Sequence, residues 1–572
     1  MNRKPQMPRE LQRWRMRLVM VMMFGGFAAL TARAAYLQGW QNDFLNKQGD
    51  IRVQRVVEIP AHRGMITDRR GDPLAISTPV ESLWLNPSEA EATPAQIQAL
   101  ANRLNLEPDD LRPLFKDKRK TFVYLKRQLP PELASAALAL GIKGLHSTPE
   151  YRRYYPAGEV MGQVLGVTGV EDKGLEGLEY AYQPWLAGQP GTKRVVRDRL
   201  GNIIEVLDQL RAPKHGQDLT LSINLQLQYL AYRELSAAVE QHKAKAGALV
   251  ALDARTGEIL ALVNVPTYNP NNRATMKSGS SRNRVVTDTF EPGSTMKPFL
   301  VAAALEAGTI KPETRIDTGP GWFMVGEKRI SDVHPKGVID IAEAIQVSSN
   351  VATAKIALDM KSEDYWSLLN KAGFGTPPNS GFPGEVGGRL RPYESWRPIE
   401  KATMAFGHGL SVSLLQLARA YCAFADEGVL PKLTVIKRNE AAPGVRVMSA
   451  NTARTLREMM ERVTLEGGTA PMARVIGYRV AGKTGTAHKA VKGGYAADKY
   501  IGSFVGLAPV SDPRLVVAVM IDEPGGKEYY GGLVAAPVFS KVMAGALRFM
   551  AIPPDAPLED IPAPGDVVGE AT

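Results

Sequence analysis

The sequence predicts an α/β protein of the α+β kind, in which an anchor helix and an N-terminal domain precede a larger domain with a central antiparallel sheet between helices. Three patterns predict it. A basic N-terminus runs into an apolar stretch, a helical pattern precedes a strand–turn–strand pattern around residue 250, and a second such pattern around residue 510 is followed by an apolar helix. Helices drawn from both ends of one chain segment and laid over an antiparallel sheet give the natural packing.

Residues 1–17 carry Arg3, Lys4, Arg9, Arg13, Arg15 and Arg17 against the single acid Glu10, and an apolar run follows from Leu18 to Leu30. The charge asymmetry places residues 1–17 in the cytoplasm and the remainder outside. Extended to Leu37, the stretch 18–37 has the roughly 20 residues that span a bilayer, with Arg33 reaching to the outer headgroups. Ended at Leu30 it reads instead as a signal-peptide core with Ala32-Arg33-Ala34 as a cleavage site. The first reading is preferred because Arg33 disturbs that cleavage region, and both readings export the rest.

Residues 38–220 mix short strands and helices, with leucines at helical spacing in 95–115. The segment 221–551 is more regular. A helix over 225–242 leads to strands 248–252 and 259–263 around the turn Asp253-Ala254-Arg255-Thr256-Gly257; strands 503–508 and 515–521 flank a turn at 509–513, and a helix covers 535–550. From Ile552 onward five prolines and five acidic residues predict a disordered tail, 552–572.

Composition narrows the function. With 572 residues, 44% apolar and 23% charged, the chain can bury more than one core. The net charge of +11 is dispersed beyond residue 17 and no nucleic-acid module appears, so an anionic membrane or cell-wall neighbour, or a merely soluble basic surface, is expected rather than nucleic acid. The single cysteine, Cys422, lies in an apolar helical run and excludes an internal disulfide or a cysteine zinc site; no metal or cofactor is expected.

The chemistry centres on Glu291-Pro292-Gly293-Ser294-Thr295-Met296-Lys297-Pro298, which opens an apolar helix (299–307) stopped at Gly308. Proline is tolerated only in a first helical turn, so Ser294 lies at or beside the helix start, near the positive end of the dipole. Spacing i, i+3 puts Lys297 on the same face. Serine needs an adjacent base, and Lys297 can act as one only when neutral, a state favoured by burial and a second cation. A lone Ser-x-x-Lys occurs by chance roughly once or twice in such a chain. Here Ser348-Ser349-Asn350 follows 54 residues after Ser294, at the end of a helical stretch (339–347), and Lys483-Thr484-Gly485-Thr486 follows 135 residues after Ser348 on an expected strand. Ser-x-x-Lys, Ser-x-Asn and Lys-Thr-Gly in this order form the motif set of penicillin-binding proteins and serine β-lactamases.

On these motifs the chain resembles the class B penicillin-binding proteins, and most closely those of the cell-division type, over roughly residues 50 to 550. The resemblance extends to the segment Arg63 to Gly71, to Arg153-Tyr154-Tyr155-Pro156, Gly174-Leu175-Glu176-Gly177-Leu178-Glu179 and Asp198-Arg199-Leu200-Gly201, and to Gly407-His408-Gly409 and Tyr529-Tyr530-Gly531-Gly532. It departs at His408, where the division enzymes are expected to carry tyrosine. The resemblance implies an elongated non-catalytic pedestal domain, 38–220, and a penicillin-binding, serine β-lactamase-like transpeptidase domain, 221–551. It implies a Ser294 nucleophile, Lys297 as base, Ser348 as proton relay, Asn350 holding the peptide backbone, and Lys483 with Thr484 and Thr486 on the terminal carboxylate. The N–H groups of Ser294 and Thr486 form the implied oxyanion hole, and Gly485, Tyr530 and His408 line the substrate cleft. Implied ligands and partners are stem peptides ending in D-Ala-D-Ala, β-lactams, a separate membrane glycosyltransferase, other division-complex proteins and the inner membrane, with the catalytic domain in the periplasm.

Three rival functions share part of this pattern. A hydrolase, whether D,D-carboxypeptidase or β-lactamase, shares the motifs, but no Glu-x-x-x-Asn stretch lies between Ser348 and Lys483 to activate water as class A β-lactamases do. A β-lactam sensor needs a cytoplasmic domain larger than 17 residues. A bifunctional polymerase needs about 150 to 200 further residues.

Overall fold

In a computed structural model the described residues are 13–44, 47, 54–197, 203–276, 279–491 and 494–558. The motif Asp198-Arg199-Leu200-Gly201, most of the N-terminal basic segment and tail residues 559–572 lie outside them. The first helix, Arg13–Ala35, continues through a π-helical turn, Tyr36–Trp40. Together Arg13–Trp40 form a helix long and apolar enough to cross a membrane, the only such helix among the described residues. At about 1.5 Å per residue its 28 residues exceed the roughly 30 Å of hydrocarbon. Arg33 lies over the Tyr36 ring, 5.6 Å from its centroid, as suits a headgroup-level anchor.

The chain forms two compact units. The first comprises Met1–Ala61, Val80–Glu150 and Gln189–His215. It contains an antiparallel sheet of strands Gln54–Ile59, Gly191–Arg197 and Ile203–Arg211. A separate small core joins helices Pro94–Leu104, Pro108–Lys116 and Pro131–Leu138 through Leu83, Leu100, Leu104, Leu111, Phe115 and Leu129. The segment 95–115, whose leucines are spaced helically around Pro and Asp, forms parts of two helices, because Asn105 adopts a left-handed φ of 51° and Pro108 starts the next one.

The second unit is drawn from His62–Pro79, Tyr151–Gly188 and Gly216–Thr572. Two stretches of the expected pedestal therefore pack with the larger unit. Ile66–Thr67 runs parallel to Leu219–Thr220, and the Arg63 and Arg153 guanidinium groups converge on buried Glu179, at 2.6 and 2.7 Å.

Its sheet has five antiparallel strands in the order Ile259–Val265, Ala246–Asp253, Leu515–Asp522, Gly494–Ala508, Ala481–Val491. Every residue of Ala246–Asp253 and Leu515–Asp522 is buried, so both faces are covered. Helices Leu225–Gln241 and Ala536–Phe549 pack on the sheet and on each other, and Leu414–Ala425, which contains Cys422, packs against the same central strands. This is the helix-covered antiparallel sheet that the hairpin patterns predict. Of the expected tail, residues 552–558 are described: Asp555 accepts from the Arg479 N–H at 2.7 Å and from Ser511 Oγ at 2.8 Å.

Candidate active site

A tight 3₁₀ turn, Gly293–Met296, runs into the helix Lys297–Glu306, with Pro298 in its first turn. The helix is apolar because its first eight residues are all buried. Phe299 packs edge-on against Phe374 and Tyr421, and the Tyr421 hydroxyl donates to Thr295 O at 2.7 Å, holding the turn from below. Gly293 has φ +59°, and a Cβ there would stand 3.3 Å from Thr486 O and 3.5 Å from Thr486 N. On its other side Gly407 approaches so closely that a Cβ would lie 2.1 Å from Gly293 O. Ser294 is 3% exposed. One helical step on, Lys297 is fully buried, and its amine donates to Ser348 O and, at 3.0 Å, to Ser348 Oγ.

Ser348 sits between helices Ile341–Gln346 and Asn350–Asp359 with φ +62°, a strained conformation for a residue with a Cβ. The neighbours hold it there. Ser349 caps the second helix by accepting from Ala352 N at 3.0 Å, and its hydroxyl donates to Asp332 Oδ2 at 2.7 Å. The other Asp332 oxygen accepts from Val351 N at 3.0 Å. Asn350 Nδ2 donates to Ser331 O at 3.4 Å, at the end of the hairpin Trp322–Val325 and Lys328–Ser331. Sequence reasoning missed Asp332, whose contacts are tertiary and carry no motif.

Strand Ala481–Val491 is an edge of the large sheet, and its free edge runs alongside the nucleophile turn. Gly485 lets it lie on the nucleophile turn: a Cβ would stand 2.7 Å from Pro292 O and 2.6 Å from Ser503 Oγ. Lys483 is fully buried and donates to Thr484 Oγ1 at 3.1 Å; that hydroxyl also pairs with Thr469 Oγ1 at 2.8 Å, a second residue the motifs do not reveal. Thr486 Oγ1 accepts from Gly531 N at 3.1 Å, which ties the strand to the segment bearing Tyr530. Tyr530 leans against Tyr529 at a tilt of 33°, and Tyr529 stacks on Tyr500, with centroids 4.5 and 4.0 Å apart.

His408 is held beside the nucleophile segment: its Nδ1 lies 2.9 Å from Glu291 Oε2. Glu291 also accepts from Gly409 N at 3.0 Å and from the Tyr495 hydroxyl at 2.8 Å. Burial opposes ionisation of Glu291, yet these hydrogen bonds outweigh it and hold the carboxyl below the usual range. The Tyr495 phenol is correspondingly pushed up, by burial first and then by the Glu291 carboxylate. Among the described residues no three His, Cys, Asp or Glu side chains gather into a metal-binding group.

The three motifs thus meet. A hydroxyl at a helix start, a buried amine bound to a second serine, and an edge strand bearing a second buried amine fit acyl transfer through a serine ester. A family model described as the penicillin binding protein transpeptidase domain matches residues 247–544, and one described as the penicillin-binding protein dimerisation domain matches residues 58–221. The chain is 45% identical to a probable peptidoglycan D,D-transpeptidase PenA of Neisseria meningitidis, over 93% of this chain and 92% of the relative. It is 41% identical to the peptidoglycan D,D-transpeptidase FtsI of Escherichia coli strain K12, over 95% of this chain and 93% of the relative. A solved transpeptidase domain of penicillin-binding protein 3 from Burkholderia pseudomallei is 48% identical with TM-score 0.55, covering 59% of this chain and 98% of that one. Motif geometry, both matched domains and near full-length relatives agree, and the chain belongs to the penicillin-binding transpeptidases.

Proposed function

We propose that this chain is a membrane-anchored serine D,D-transpeptidase that cross-links peptidoglycan stem peptides during septal wall synthesis. The observation that carries this reading is the buried amine of Lys297, in the helix that Ser294 leads into, bound to Ser348 Oγ. Ser294 Oγ attacks the carbonyl of the penultimate D-Ala of a stem peptide, and Lys297 takes its proton. The Ser294 and Thr486 N–H groups stabilise the tetrahedral oxyanion. The peptide C–N bond then breaks, and Ser348 relays a proton to the departing D-Ala. Asn350 holds the donor backbone, Lys483, Thr484 and Thr486 hold the terminal carboxylate, and Tyr530 and His408 border the cleft with Gly485 beneath it. An acceptor amine attacks the ester, loses its proton to the returning base, and releases Ser294. β-Lactams acylate the same serine and stay bound, since their ring-opened leaving group remains tethered.

The apolar helix Arg13–Trp40 supports a single-pass anchor in the inner membrane. The basic residues before it favour an inward N-terminus, and hence a periplasmic catalytic domain meeting a separate membrane glycosyltransferase and division-complex proteins. In the test, full-length protein in detergent is incubated with fluorescent penicillin, and D-Ala release is followed from a D-Ala-D-Ala peptide with and without an added amine. Label mapped to Ser294, lost in Ser294→Ala, with acyl transfer to the amine is the expected result. Label that persists in Ser294→Ala refutes the site, and release of acid alone refutes transpeptidation.

A further inference from the structure

The outer part of the strand pair carrying Lys483 projects beyond the sheet. Strand Leu515–Asp522 pairs with residues 501–508 of Gly494–Ala508, so the pairs His488–Tyr500, Ala490–Tyr495 and Val491–Gly494 belong to a two-stranded ribbon, with an irregularity between His488 and Ala490. A ribbon of two strands is marginal by itself. At its base the strand is set against the nucleophile turn through Gly485 and Pro292 O. At its tip the Tyr495 hydroxyl reaches Glu291, three residues before Ser294.

Glu291 is the junction. One carboxylate collects the ribbon through Tyr495, the loop behind Gly293 through the Gly409 N–H, and the ring of His408. The His408 ring stands at 89° to Tyr495 and at 75° to Phe406, which fixes its plane between them. The same loop presses Gly407 onto Gly293. Three segments that must keep register for catalysis are thereby tied beside the nucleophile, at points outside the three motifs.

We propose that Glu291, acting with Tyr495 and His408, is a positioning residue. It pins the ribbon tip to the nucleophile segment and so holds the edge strand, with its Thr486 N–H, in register for the acylation step. The proposal rests on the Ser294 reading above. Without the pin, the strand base stays in the sheet while its cleft-facing edge is free to twist as an unsupported ribbon does. Because the bond acts on alignment within the bound complex, its loss falls on the chemical step more than on initial binding.

The experiment measures acylation of the full-length protein by fluorescent penicillin in stopped flow, separating the limiting rate constant from the half-saturating concentration, alongside thermal unfolding. Tyr495→Phe, at a half-exposed position, removes one hydroxyl. It is expected to lower the limiting rate constant about tenfold, with half-saturation within about threefold and unfolding temperature unchanged. Glu291→Gln is expected to lose as much or more, and Glu291→Gln with Tyr495→Phe no more than Glu291→Gln alone, since both break one connection. His408→Asn, which returns a donor near the Nδ1 position, recovers most of what His408→Ala loses. Limiting rates within twofold of wild type for Tyr495→Phe and Glu291→Gln overturn the proposal, as do fully additive losses or losses confined to half-saturation. Label persisting in Ser294→Ala instead marks failure of the underlying site, a separate outcome.

Discussion

Asp332 is a single residue on which the shape of the Ser348 turn depends. Its carboxylate holds the Ser349 hydroxyl and the Val351 N–H, two groups that directly follow the serine kept at φ +62°. Asp332→Ala leaves both donors without their acceptor and lets Ser348 relax toward an ordinary conformation. The expected result is a 10- to 100-fold slower acylation by fluorescent penicillin and a loss of about 1–3 kcal/mol in denaturant unfolding, with Asp332→Asn milder. Asp172 makes a different prediction. Its Oδ1 is buried with no hydrogen-bond partner among the described residues, and burial pushes its carboxyl up to about 6 despite nearby Arg63 and Arg153. A carboxyl whose folded value lies above its unfolded value of about 4 favours folding in its protonated form. Its contribution is therefore present at low pH and lost as pH rises through about 6. Asp172→Asn removes the titration, so the unfolding temperature of this variant relative to wild type should climb between pH 4 and 7; a difference that stays flat with pH rejects this account.

At the scale of elements, catalysis depends on an edge strand lying directly on a helical turn, and Gly485 is what permits the contact. An added methyl would sit 2.7 Å from the backbone oxygen of Pro292 and 2.6 Å from Ser503 Oγ, and the backbone oxygen cannot step aside without moving the turn. Gly485→Ala should separate strand from nucleophile, costing about 1–3 kcal/mol by overpacking and slowing acylation about 100-fold, measured by thermal unfolding and stopped flow. Elements whose signals are local were legible beforehand. Pro298 marked the helix start, and short continuous apolar runs bounded by turn residues marked strands Ala246–Asp253 and Leu515–Asp522, because each is coded within a few adjacent residues. Strand Gly494–Ala508 begins nine residues before its apolar pattern because its outer part pairs in a ribbon and buries little. The helical pattern over 339–347 opens as a strand, Val338–Asp340, since it pairs with Arg315–Asp317 and Asp340 then caps the helix through Glu343 N. Asp332, Thr469 and the Glu291 junction were invisible because each acts on partners 15 to 204 residues away.

At the scale of the whole molecule, the larger unit is closed by chain that arrives from well before it. Residues 62–79 and 151–188 join the unit begun by residue 216, and a buried charged cluster ties the first two stretches together. Arg63 donates to Glu179 through Nε at 2.8 Å and to Gln183 at 2.7 Å, while Arg153 donates to the other Glu179 oxygen at 2.7 Å and to Ser77 at 3.1 Å. Taking three ions out of water is costly, and the cluster is tolerable only while it is complete. Glu179→Ala leaves two guanidinium groups buried against each other. It should destabilise the unit by about 3–5 kcal/mol, whereas replacing all three residues together with apolar side chains of similar volume should cost much less. Calorimetry on full-length protein reads the first quantity. Titration of active sites with fluorescent penicillin reads the consequence: the acylatable fraction should fall with the folded fraction, while the rate constant per remaining site holds. A fall in that rate constant at full folding would mean that the cluster shapes the cleft directly and is more than an assembly tie.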